Sequence, residues 1–234
     1  MKASPGARSW IAAGVRHELL TRALPALRHD MVAPVSVIRM ALLMLKRQVS
    51  APTVDAAACT ERVALIDNQI AEVASGIRSL RDWELAAPGD GMTRRALVAE
   101  CTGLMRAAFD MQGIAIEIDP ELAPADEANA ADAGEVRWQE TASLRYLLLG
   151  ALGYLHDSDD AVGVITVSPD GTDGLLLRSA PSEASRTGDV DMALHRAPRA
   201  LAIDAVALQC LADDLGYTLD AERDSVRLRF APSA

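Results

Sequence analysis

Two long runs of apolar residues at helical spacing, separated by only a few positions, constrain this chain more than any other feature. In the second run, Cys59, Val63, Ile66, Ile70, Val73, Ile77 and Leu80 alternate steps of four and three. That is the heptad repeat of a helix packing lengthwise on another. In the first run, Leu20, Leu24, Leu27, Met31, Val35, Ile38, Leu42 and Leu45 step by threes and fours, the period of one helix face. The spacing predicts one helix from about Ser9 to Gln48 and another from about Val54 to Leu85, with Ser50, Pro52 and Thr53 in the turn. So short a turn makes the helices antiparallel. Two helices cannot bury both seams, so a homodimer that completes a four-helix bundle is expected.

Composition narrows the partners. Half of the 234 residues are hydrophobic but only 3% are aromatic, and the formal net charge is −10. Such a charge excludes binding DNA or RNA through the phosphate backbone and disfavours an anionic membrane surface. Cys59, Cys101 and Cys210 are scattered without ligand spacing, as expected of small buried hydrophobes in a reducing compartment. No stretch reaches the roughly 18 apolar residues of a membrane span. Arg16, His17 and Glu18 interrupt the early apolar run, against a signal peptide. The expectation is a soluble cytoplasmic protein.

Pro88-Gly89-Asp90-Gly91 marks a domain boundary. It divides the chain into a helical hairpin, 9–88, and a second domain, 89–234. In the second domain Thr93 can cap a helix running to about Met111, ended by Gly113. Ile114, Ile116 and Ile118 alternate as a strand. After a Pro-, Ala- and acid-rich loop over 119–134, a helix is expected from about Val136 to His156. Val162–Ser168 and Leu175–Ser179 read as strands around the turn Pro169-Asp170-Gly171-Thr172-Asp173-Gly174. Residues 181–198 read as irregular. A helix from Arg199 to Leu215 stops at Gly216, and Tyr217–Ala221 with Val226–Phe230 form a last hairpin. The fold class is α+β, with about five strands and three helices and the sheet covered on one face.

The stretch Arg28-His29-Asp30-Met31-Val32-Ala33-Pro34-Val35 holds the candidate chemistry. At about 100° per residue His29 points about 160–200° away from Leu27 and Met31. Pro34 cannot donate to the Asp30 carbonyl and crowds it, so a bend is expected there. The layout and this motif resemble a bacterial sensor histidine kinase core, whose motif reads His-Glu/Asp-Leu-Arg-Thr-Pro-Leu. His29, Asp30, Met31, Pro34 and Val35 match it. His17-Glu18-Leu19-Leu20-Thr21-Arg22 imitates its start but has Arg22 at the proline position, and His17 is better read as a solvated helix residue. The resemblance implies a dimeric four-helix bundle bearing a phosphoacceptor histidine, followed by an ATPase-like α/β sandwich.

That sandwich has lost the nucleotide motifs. Leu148-Leu149-Gly150-Ala151-Leu152-Gly153-Tyr154 fits the pattern of the magnesium-binding helix, but Gly150 replaces its Asn and Gly153 its basic residue. The place of Asp-x-Gly-x-Gly holds Leu177-Arg178-Ser179-Ala180-Pro181-Ser182, and Ala197-Pro198-Arg199 stands where a glycine-rich loop belongs. Without glycines the backbone cannot approach phosphates, so no ATP and no cofactor is expected.

What the resemblance then implies is a histidine phosphotransfer protein of a two-component phosphorelay. His29 would take a phosphoryl group from one response-regulator receiver domain and pass it to another, each receiver bringing its own Mg²⁺. Asp30 would take or hold the imidazole proton. Arg28, Val32, Ser36 and Arg39 would form the receiver-docking surface. Ala33 stands where a kinase keeps a water-orienting Thr or Asn, which disfavours phosphatase action. The alternatives are a non-catalytic pseudokinase that regulates a kinase or receiver, and a divergent ATP-dependent histidine kinase. His156 is expected to complement a helix dipole, Trp83 and Trp138 to be packing residues, and His195 near Asp189 and Asp191 to be a weak metal pattern.

Overall fold

The computed structural model describes residues 4–81, 83, 91–123, 136–181 and 201–232. The chain forms two compact units, one of residues 24–87 and one of residues 1–23 together with 88–234. No helix among the described residues is long and apolar enough to cross a membrane.

The hairpin unit is built from α1 (Pro5–Val49) and α2 (Ala56–Arg81). α1 begins four residues earlier than the spacing predicts and carries both Pro25 and Pro34. The expected continuation of α2 to Leu85 falls on position 82 and positions 84–90, outside the described residues. Met31 Cγ lies 3.4 Å from where a Cβ on Gly76 would stand, which pairs the middle of α1 with the end of α2 in antiparallel fashion. Pro34 and Ala41 are buried. Two stripes of seven-residue spacing are not. Val35, Leu42 and Val49 are 43, 49 and 58% exposed, and Val63, Ile70 and Ile77 are 54, 52 and 56% exposed.

The second unit is α+β. Its five-stranded sheet has the order β2-β4-β5-β7-β6, formed by β2 (Ala115–Ile118), β4 (Val162–Pro169), β5 (Gly174–Pro181), β6 (Tyr217–Ala221) and β7 (Ser225–Pro232). β2 and β4 are parallel and the other neighbours antiparallel. Alternation sets the two faces. Ile165, Val167, Leu175, Leu177, Val226, Leu228 and Phe230 are buried, whereas Arg178, Arg227 and Arg229 are exposed. Helices α3 (Arg94–Asp110), α4 (Thr141–Ser158) and α5 (Ala205–Leu215) supply the rest of the core. α4 packs on α3, α5 and three strands and is buried over most of its length.

Local signals start and stop these helices. Thr93 caps α3 by accepting from Ala96 N at 3.3 Å, and Asp204 caps α5 by accepting from Ala207 N at 2.7 Å. Gly216 closes α5 at φ 77°. The β4–β5 turn is tight at Gly174, where a Cβ would fall 2.7 Å from Leu228 O and 2.8 Å from Asp170 O.

Three expectations need correction. The helix expected from Val136 begins at Thr141. Arg137 and Trp138 instead form β3, which pairs antiparallel with β1 (Met92–Thr93). Trp138 stands edge-on to Phe230 at 5.5 Å, and Arg137 donates to Gly91 O. The helix expected from Arg199 begins at Ala205, because Ile203 is buried and its N–H donates to Asp157 Oδ2 at 2.8 Å. The hairpin domain expected from residue 9 loses its first residues to the α/β unit. Ala12, Val15, Leu19 and Ala23 form a buried row on α1, and Arg16 pairs with Asp214 and Arg8 with Asp213.

Asp157 anchors that early part of α1. Its side chain is 1% exposed and accepts from Arg22 Nη2 at 2.8 Å, while Arg22 Nη2 also donates to Leu201 O. Burial alone would raise the Asp157 pKa, but hydrogen bonds with His156, Arg22 and Ile203 N outweigh it and hold the carboxyl below its ordinary range. A carboxyl with a depressed folded pKa contributes stability that is present above its unfolded pKa of about 3.9 and lost as pH falls through the folded value. Asp157→Asn is therefore expected to cost about 3 kcal/mol at pH 7 in chemical denaturation. As pH falls below about 4, the wild type should lose stability more steeply than the variant. Parallel acid slopes would contradict this role.

Candidate functional site

His29 sits on α1 with its side chain 81% exposed, and Asp30 beside it is 72% exposed. His29 Nδ1 lies 3.3 Å from Asp30 Oδ1. A proton on Nδ1 faces the carboxylate, and Nε2 has no protein partner among the described residues. In the tautomer with its proton on Nδ1, the lone pair on Nε2 is open to an approaching electrophile. Both groups are solvated, so their attraction orients the ring more than it stabilises the fold. Pro34 is buried on the other side of the helix. It lacks the N–H that would otherwise bond the Asp30 carbonyl.

The four residues expected to dock a partner are all exposed: Arg28, Val32, Ser36 and Arg39. Ser36 Oγ donates to Val32 O at 3.2 Å. All four therefore share the solvent-facing side of α1 with His29.

The other histidines differ. His17 is exposed on α1. His195, with Asp189 and Asp191, lies outside the described residues, as do Ala197, Pro198 and Arg199. His156 is buried rather than serving an exposed helix end. Its ring stacks on Phe109 at 5.1 Å with an interplanar angle of 6°. Nδ1 is 2.6 Å from Asp157 Oδ1, and Nε2 contacts Gln112 Oε1. The adjacent His156-Asp157 pair was the only sequence hint of this network, because Arg22, Gln112 and Ile203 are distant in the chain.

The α4 face carrying Gly150 and Gly153 is packed with hydrocarbon. A Cβ on Gly150 would stand 2.8 Å from Leu211 Cδ2 and 3.2 Å from Leu208 Cδ1. One on Gly153 would stand 2.9 Å from Ile203 Cδ1, 3.4 Å from Arg22 Nη1 and 3.6 Å from Leu19 Cδ2, so the Arg22 guanidinium borders the apolar contact there. The glycines admit the neighbouring helices. Asp170, Gly171 and Gly174 belong to the β4–β5 turn, where Arg227 pairs with Asp170 at 3.0 Å and Arg94 donates to Gly171 O and Gly174 O. Leu177 to Pro181 lie within β5.

No protein-family model matches the chain, and no curated protein matches it in sequence. Among solved structures it is similar to the Acinetobacter baumannii histidine kinase AdeS, with 10% identity and a TM-score of 0.29 over 86% of this chain and 98% of that one. A TM-score of that size establishes neither a shared fold nor a shared activity.

Placing an asparagine at position 150 puts a branched amide into this apolar contact. Gly150→Asn is expected to destabilise by about 3 kcal/mol, from overpacking and an unpaired buried amide. It should confer no ATP affinity by calorimetry. Gly103→Ala on α3, where nothing lies within 4 Å of the added Cβ, should instead stabilise by about 0.5–1 kcal/mol. Equal effects at the two positions would contradict the close-packing account.

Proposed function

We propose that this chain is a histidine phosphotransfer protein of a two-component phosphorelay, moving a phosphoryl group between response-regulator receiver domains in the cytoplasm through His29 and without ATP. The observation that carries the reading is the exposed imidazole of His29, with Asp30 on Nδ1 and Nε2 facing solvent, inside the motif His29-Asp30-Met31-Val32-Ala33-Pro34-Val35.

The step balances without a nucleotide. The Nε2 lone pair attacks the phosphorus of a receiver's aspartyl phosphate in line, the N–P bond forms as the P–O bond breaks, and the receiver's aspartate leaves as a carboxylate. The imidazole gains positive charge as the bond forms, and Asp30 accepts from Nδ1–H to stabilise that charge. The reverse step passes the phosphoryl group to the aspartate of a second receiver. Mg²⁺ comes with the receiver. Arg28, Val32, Ser36 and Arg39 dock it. Ala33 offers no group to orient a hydrolytic water. The heptad stripes Val35-Leu42-Val49 and Val63-Ile70-Ile77 are the surface for a second copy, which would complete a four-helix bundle.

Purified receiver domains phosphorylated with acetyl phosphate test the reading directly. The wild type should acquire an acid-labile, base-stable phosphoryl group. His29→Ala should abolish it while light scattering still reports the same oligomer. Asp30→Asn should slow transfer about 10²-fold, the scale of a lost acid–base partner. A chain that binds receivers equally well with or without His29, and never becomes labelled, would instead be a non-catalytic binding module.

A further inference from the structure

We draw no further inference here: the strongest candidate, the side-chain cluster of His156, Asp157 and Arg22 where the early part of α1 meets α4, has its charged groups bonded to one another, to Gln112 and to the backbone at Leu201 and Ile203, so it belongs to the packing of the α/β unit already described.

Discussion

The close approach of side chains to Gly150 and Gly153 is the constraint on which the α/β unit depends. α4 is buried over most of its length, and a Cβ at either position would require the Leu211 or Ile203 side chain to shift. Leu208 and Leu211 of α5, Leu19 of α1 and Ile203 fill the space. The Arg22–Asp157 bridge then fixes the edge of the same contact, and Asp157 also holds Ile203 N. Hydrocarbon packing and one buried ion pair thus accomplish together what neither would alone. The apolar contact and the Arg22–Asp157 ion pair lie side by side where the early part of α1 packs within the unit.

The same packing fills the α4 face with side chains. An Asn at position 150 would project an amide into leucine side chains, so a polar group there has no use and a cost. His29 presents an imidazole on an exposed helix face. In the proposed reading, His29 has an orienting carboxylate but no reagent of its own, and a partner brings the phosphoryl group. Its surroundings fit that dependence. The hairpin leaves apolar side chains exposed on both the heptad side and the His29 side of α1.

Much of this was legible in the sequence where the cause is local. The periodicities around Ile70 and Leu42 marked the hairpin, and Thr93, Gly113, Gly216 and the Asp170–Gly174 turn marked element ends because each acts on backbone within a few residues. Causes distant in the chain were not legible. Arg137 and Trp138 continue a helical pattern, yet Met92, Thr93 and Phe230 draw them into a strand. Residues 201–204 resemble the start of a helix, yet Asp157 holds Ile203 outside it. The row Ala12, Val15, Leu19, Ala23 runs one position off the Leu20–Leu24 stripe, so both sides of early α1 look apolar. Only the presence of α4 and α5 shows which side is buried. His29 and Asp30 stand out in the sequence because a short motif carries them.

Phosphorus NMR of the wild-type chain mixed with a phosphorylated receiver tests the central claim most directly. The account predicts a phosphohistidine resonance of the Nε2-linked form, lost on His29→Ala and absent when ATP and Mg²⁺ replace the receiver. A phosphohistidine formed from ATP alone, or one that persists without His29, would contradict it.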